Sequence, residues 1–304
     1  MENKAFLGYS GTLAILPFDH RTGLYKAFGW TEPLTPEEII EMKDGRQLIF
    51  EAIEHAVLHG IPKESAPVFT DDVFGAEVLK DAKEKGFVTF LTTEKSGATY
   101  FDFEHGDNFG DAINAIKPTF TKALVRYNPD VNLDDNKKSL ENLKKLSDFS
   151  HANGYKFLIE PLVAATNEQL ASVDGDKHRY DNEVRPELTM RMIKEMQDFG
   201  IEPDVWKIEG FEHTDAYEKI VSAARANGRD TIGIITLGRN ETDEVVASWL
   251  RASSPVPGVI GFAVGRTVFL DPLLRYRKGE LSREEAVTKI SEKFSSFFHI
   301  FKEA

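Results

Sequence analysis

The chain has 304 residues, 41% hydrophobic and 29% charged, which is the make-up of a globular protein long enough for one large α/β domain or two small ones. Its formal net charge is -13, and an acidic surface repels the phosphates of nucleic acids and of anionic membranes, so an anionic substrate needs a local cationic pocket. The absence of cysteine excludes a disulfide framework, a thiolate nucleophile and a Cys-ligated metal, and it is compatible with a cytoplasmic home. Met1-Glu2-Asn3-Lys4 lacks the shape of a signal peptide, and no apolar run approaches membrane-spanning length.

The first apolar run, Ala14-Ile15-Leu16-Pro17-Phe18, predicts a strand tipped by Asp19-His20-Arg21. Pro33 and Pro36 announce a long helix over 37–59, with Ile40, Phe50, Ile53 and Val57 at helical spacing and Gly60 as its stop. Strands follow at 66–70, tipped by Asp71-Asp72, and at 87–92, tipped by Glu94-Lys95-Ser96-Gly97. Helices are expected at 76–85 and 108–116. A fourth strand spans 122–127, a helix 136–153, and a fifth strand 156–160, with Pro161 after it. A long polar loop through Asp174-Gly175-Asp176 precedes a helix at 186–199. Strands at 204–208, 231–237 and 258–264 then alternate with helices at 215–227 and 244–251. Helices near 271–276 and 282–301 finish the chain.

Eight strand-like runs, each followed by a helix, call for a parallel sheet covered by helices. Eight such units in a chain of this length predict a single-domain (β/α)8 TIM barrel over 1–304. A doubly wound open sheet is the alternative, but neither GxGxxG nor a Walker loop is present to support it.

Barrel chemistry gathers at the C-terminal ends of the strands. One strand, Asp204-Val205-Trp206-Lys207-Ile208-Glu209-Gly210, puts Val205, Lys207 and Glu209 on one face and Trp206 and Ile208 on the other. Burial and cationic neighbours favour the neutral amine, the form that attacks carbonyl carbon. The plainer reading is a lysine paired with Glu209 or another acid. Lys122, Leu124 and Arg126 share a face of the fourth strand, and Lys156, Leu158 and Glu160 share one of the fifth. That places Lys122 and Glu160 beside Lys207, where the glutamate could move protons, although a self-satisfied ion network fits the same spacing. The last two strands both end in Gly-Arg, Gly238-Arg239 and Gly265-Arg266. Barrels often bind phosphate there, on backbone N–H groups and a guanidinium.

Other candidates carry less weight. His55 and His59 lie four apart on an outer helix with no third ligand, Asp71-Asp72 fits a helix cap as well as a magnesium site, and the roles of His20 and Lys95 stay open. Phe294, Phe297, Phe298 and Phe301 have the spacing of a helix packed on the barrel.

Several stretches resemble the class I (Schiff-base) aldolases of the tagatose-bisphosphate aldolase superfamily. They are Leu16-Pro17-Phe18-Asp19-His20-Arg21, Glu94-Lys95-Ser96-Gly97, Leu124-Val125-Arg126-Tyr127-Asn128-Pro129, Glu202-Pro203-Asp204-Val205-Trp206-Lys207-Ile208-Glu209-Gly210, Leu237-Gly238-Arg239 and Gly261-Phe262-Ala263-Val264-Gly265-Arg266-Thr267. Within that superfamily the chain looks most like the 5-dehydro-2-deoxyphosphogluconate aldolases, a domain often fused to an inositol-catabolism sugar kinase; here it is expected to be free-standing. The resemblance implies Lys207 as the Schiff-base lysine, Glu160 as the proton shuttle, Lys122 as a supporting cation and Asp19 as the acid that steadies the site. Gly238, Arg239, Gly265 and Arg266 would hold a phosphate, Arg21 or Arg126 a carboxylate, and Lys95 is a further candidate for substrate contact. No metal or cofactor is implied. The expected partner is a small-molecule sugar phosphate, with no nucleic acid or membrane, and a homo-oligomer is the expected assembly. Asn240, Glu160-Pro161-Leu162-Val163 and Asp130-Val131-Asn132 depart from the family pattern at loop tips, which leaves the sugar open. A transaldolase, an aldolase for tagatose or sulfo-sugar phosphates, and a non-catalytic sugar-phosphate binder remain as alternatives.

Overall fold

The computed structural model of the chain describes residues 7–131 and 133–304, so Met1-Glu2-Asn3-Lys4 and the Asn132 of the third departure lie outside the described residues. β1 (Leu13–Pro17) is followed by α1 (Thr22–Phe28) and α2 (Pro36–Leu58), β2 (Val68–Asp71) by α3 (Asp72–Glu84), and β3 (Thr89–Thr92) by α4 (Phe109–Ile116). β4 (Phe120–Arg126) leads to α5 (Leu133–Ala152), and β5 (Lys156–Leu162) to α6 (Asn167–Ala171), α7 (Lys177–Arg179) and α8 (Arg185–Asp198). β6 (Val205–Glu209) precedes α9 (Thr214–Ala224), and β7 (Gly233–Leu237) precedes α10 (Asp243–Ser253). β8 (Val259–Ala263) is followed by α11 (Arg266–Arg277) and α12 (Arg283–Glu303). The eight strands are parallel, lie in chain order and close into a ring through β1 and β8. The protein is a (β/α)8 barrel, and the open-sheet alternative is set aside.

Alternation along each strand divides the apolar residues into two cores. Leu13, Ile15, Phe69, Phe90, Phe120, Leu158, Val205, Ile235 and Ala263 fill the barrel. Leu16, Val68, Leu91, Phe157, Ile159, Trp206, Ile208 and Phe262 point outward to the helices. Inside, Phe69 stacks on Phe90 at 5.3 Å and Phe90 on Phe120 at 4.2 Å, forming an aromatic floor. Each fully buried ring contributes about 1.5–3 kcal/mol relative to exposure.

At the lower mouth of the barrel a buried carboxylate, Asp204, ties several segments together. Asp204 accepts from the N–H groups of Gly8 and Phe157, both at 2.8 Å, and from Lys156 Nζ at 2.9 Å. His151 Nε2 lies 3.1 Å from its second oxygen. The outer helices are set by local signals: Thr35 and Glu38 form a capping box at the start of α2, as Ser282 and Glu285 do for α12. Phe294, Phe297, Phe298 and Phe301 are buried on α12, with Phe294 and Phe301 against Phe262 of β8. His55 reaches Ser291 on α12 and stacks on His59 at 4.0 Å, while Asp71 caps α3 through Phe74 N–H and pairs with Arg46.

Three regions differ from expectation, the first being α1, a helix over Thr22–Phe28 where none was expected. The polar stretch after β5 is folded: Thr166 and Gln169 make a capping box for α6, Asp176 caps α7, and a π-helical turn, Tyr180–Val184, runs into α8. Tyr180 anchors it by donating to the Val163 carbonyl at 3.0 Å. β5 also continues through Pro161 instead of ending before it, because Pro161 and Leu162 stay paired with Val125 and Arg126 of β4. Asp204 N–H donates to Phe157 O, so residues 157, 159 and 161 direct their polar groups toward β6. Proline has no N–H to offer on that side, and the β5–β6 ladder stops at Ile159 and Trp206. Among the described residues no helix is long and apolar enough to cross a membrane.

Candidate active site

The inward positions just above the aromatic floor are charged. Lys122 of β4, Glu160 of β5 and Lys207 of β6 meet there, with Asp19 after β1, and Glu94 after β3. Lys207 Nζ is 2.9 Å from Glu160 Oε1, and Lys122 Nζ is 3.1 Å from Oε2 of the same carboxylate. Lys122 also pairs with Asp19 at 3.0 Å and makes a closer contact with Glu94. Thr92 donates to Asp19 at 2.7 Å. Both lysine nitrogens lie over the Phe69 ring, at 5.0 Å for Lys207 and 5.5 Å for Lys122.

Burial and the lysines pull the carboxyl groups apart. Burial opposes ionisation of Asp19, but Lys122, Lys207 and the Thr92 bond outweigh it and hold the carboxyl well below the usual range. Glu160 is likewise held low, burial being overcome by Lys207 and then Lys122. Glu94 goes the other way: burial raises it, and the nearby Asp19 and Glu160 leave Lys122 unable to compensate. Burial works against a charge on Lys122, yet Asp19, Glu94 and Glu160 raise it above an ordinary lysine. Of the three carboxyls, Glu94 therefore takes up a proton most readily, and its Oε2 is buried with no hydrogen-bond partner among the described residues.

His20 also faces this cluster. Burial lowers its imidazole to about 3, with Arg266, Lys207 and Arg46 adding to the effect and Asp19 opposing it. The ring is therefore neutral near pH 7. Its Nδ1 is 3.9 Å from Asp19, and the backbone carbonyl accepts from Arg46.

Two adjoining cavities of about 150 and 760 Å3 open above the network. Lys207, Glu160, His20 and Arg126 line both. Gly238, Arg239, Gly265 and Arg266 line the larger one, and Lys95 the smaller. Gly265 cannot carry a side chain without a clash, since a Cβ would lie 2.6 Å from Pro17 O and 2.9 Å from the His20 ring. Gly265 precedes α11 and supplies no side-chain cap, so the first N–H groups of the helix are open to an anion. Arg266 begins that helix; its Nε is buried without a partner among the described residues.

The sequence-derived set is thus brought together, with two differences in how its arginines are used. The Arg21 guanidinium is committed to Glu104 at 2.6 Å and to the Glu94 carbonyl. Arg239 donates to Asp181 at 2.7 Å and lies 3.3 Å from Glu209. Thr92 and Glu94 were not assigned roles from sequence, although Phe90, Thr92 and Glu94 alternate on one face and could have been found that way. Glu209 is two residues beyond Lys207 on the same face. Asp181 carries no such signal, because it belongs to the stretch that reads as loop.

Solved structures share the architecture. Fructose-bisphosphate aldolase from Plasmodium falciparum, solved with TRAP and a small-molecule inhibitor, is 12% identical, with 96% of this chain and 91% of that chain covered and a TM-score of 0.61. Fructose-bisphosphate aldolase from Slackia heliotrinireducens is 14% identical over 97% of this chain and 86% of that one, with a TM-score of 0.56. Cgl0159 from Corynebacterium glutamicum is 16% identical over 96% and 87%, also with a TM-score of 0.56. At these identities the likeness concerns the fold. No curated protein matches the chain by sequence. A family model does match, over residues 8–304, and the chain belongs to the family it describes, "uncharacterized protein conserved in bacteria (DUF2090)".

Proposed function

We propose that the chain is a class I aldolase that cleaves a keto sugar acid phosphate through a Schiff base on Lys207. The observation that carries this reading is the buried Lys207–Glu160 contact of 2.9 Å, braced by Lys122 and open to the larger cavity. The fructose-bisphosphate aldolases among the structural neighbours favour the same chemistry. Uncharged Lys207 adds to the substrate ketone, and loss of water gives an iminium, with Glu160 delivering and removing the protons. A carboxylate on Glu160, or a water it orients, then takes the proton of the hydroxyl two carbons from the iminium carbon. The intervening carbon–carbon bond breaks, its electron pair flows to the iminium nitrogen, and an aldehyde leaves. Protonation of the remaining enamine at carbon and hydrolysis of the imine return the amine and release dihydroxyacetone phosphate.

The substrate we favour is 5-dehydro-2-deoxygluconate 6-phosphate, whose aldehyde product is malonate semialdehyde. Its phosphate lies one carbon from the ketone and its carboxylate four carbons away on the other side. Arg266 follows β8 and Arg126 ends β4, which face each other across a ring of eight strands. That separation suits an anion at each end with the ketone between. Arg21 is already committed to Glu104, so Arg126 is the better carboxylate ligand of the two. Other ketose phosphates would share the imine step, and product analysis separates them.

The test is borohydride reduction in the presence of dihydroxyacetone phosphate, read by mass spectrometry. Wild type gains the reduced adduct on Lys207, and Lys207→Ala gains none. An adduct that persists in the variant, or a wild type that never forms one, overturns the assignment.

A further inference from the structure

We propose that Asp181 and Glu209 are positioning residues that fix Arg239 as a phosphate ligand, an inference that rests on the aldolase reading for the identity of the ligand. Arg239 and Asn240 both adopt left-handed backbone angles, with φ of 49° and 63°. Two successive residues with side chains rarely do so unless their surroundings hold them. The guanidinium is what is held. Its Nη1 donates to Asp181 Oδ2 at 2.7 Å, and its Nε lies 3.3 Å from Glu209 Oε1. Nη2 has no protein partner among the described residues, and Arg239 lines the larger cavity together with Arg266.

Both acids are themselves fixed from behind. Asp181 Oδ1 accepts from Arg185 Nε at 2.8 Å, and Arg185, almost fully buried, donates also to the Gly210 carbonyl at 2.8 Å. Glu209 Oε2 accepts from Val163 N–H at 2.9 Å, the donor that the interrupted β5–β6 ladder leaves over. Arg239 is thus oriented by the π-helical turn after β5 and by the strand that bears Lys207. Asp181, Glu209, Arg185 and Arg239 balance in formal charge. An entering phosphate finds one arginine already aimed, as pre-organisation requires.

The experiment uses the full chain in two arms. Calorimetric titration with inorganic phosphate compares wild type, Asp181→Asn, Asp181→Glu and Glu209→Gln. The rate of borohydride trapping is then compared for dihydroxyacetone phosphate and for unphosphorylated dihydroxyacetone. Asp181→Asn and Glu209→Gln should each weaken phosphate about tenfold. They should raise the half-saturating concentration of dihydroxyacetone phosphate by a similar factor, leave trapping of dihydroxyacetone unchanged, and show partial rescue in Asp181→Glu. Phosphate binding in Asp181→Asn as tight as wild type, or tighter, overturns the proposal, because the acid would then compete for Arg239 instead of aiming it. Absence of phosphate binding to wild type, or equal loss of trapping with both ketones, overturns it as well. Failure of trapping in wild type with the phosphate arm as expected would remove the aldolase reading alone and leave the positioning of Arg239 standing.

Discussion

The two mouths of the barrel hold charged clusters made from the same residue types, and they are used differently. At the lower mouth, Asp204 is fully buried and its oxygens are engaged by Gly8, Phe157, Lys156 and His151. At the upper mouth, Asp19, Glu94 and Glu160 crowd around Lys122 and Lys207, Glu94 keeps an oxygen without a partner among the described residues, and two cavities open directly above. A cluster whose groups are all satisfied anchors the chain. One with more carboxyls than amines, held at different proton affinities, has a proton to move and a place for a substrate to receive it.

Three experiments probe that contrast. On the proposed aldolase reading, Glu160→Gln should have the largest effect, lowering turnover about 10²–10⁴-fold, as expected when a group that transfers protons is removed. Initial rates at saturating substrate measure it, and a loss of less than about tenfold would leave Glu160 a spectator. Asp204→Asn should instead cost stability, about 3 kcal/mol in urea unfolding, because its amide nitrogen must face either Gly8 N–H or Phe157 N–H. Turnover per folded molecule should stay near wild type; a fall comparable to that of Glu160→Gln would erase the distinction between the mouths.

The third experiment concerns His20 and acid. In the unfolded chain an ordinary histidine gains its proton as pH falls past 6.5, whereas folded His20 resists until about 3. The unfolded state therefore binds more protons between those values, and the folded protein loses stability as pH falls through that window. His20→Gln should remove this part of the acid sensitivity, so melting temperature should decline less steeply with falling pH than in wild type. Parallel curves for the two proteins would show that His20 shares its proton equally between the states.

Much of this was legible in the sequence, and what was not has a common cause. Period-two alternation located Lys122, Glu160 and Lys207 on inward faces, because strand geometry fixes the direction of a side chain from its position alone. Paired Gly-Arg tips pointed to the larger cavity for the same reason. The commitments of Arg21 to Glu104 and of Arg239 to Asp181 were hidden, since each partner lies far along the chain and in a connecting segment. The folded stretch after β5 was missed because Asp174-Gly175-Asp176 reads as a turn, while its anchor, Tyr180 on Val163, is a tertiary contact. Pro161 reads as a strand end in the sequence, although proline is tolerated where its missing donor faces an unpaired edge.

Above Ile159 the barrel wall is slit along the β5–β6 seam, and Glu160 and Lys207 stand at its lip. A flat ketone that becomes a tetrahedral adduct and then flattens again changes width twice in each cycle. A wall laced shut at that height would have to tear a bond to make room. Here the links above that height are made by side chains, Lys207 to Glu160 and Glu209 to the Val163 N–H, while the backbone pairs of the two strands lie below them.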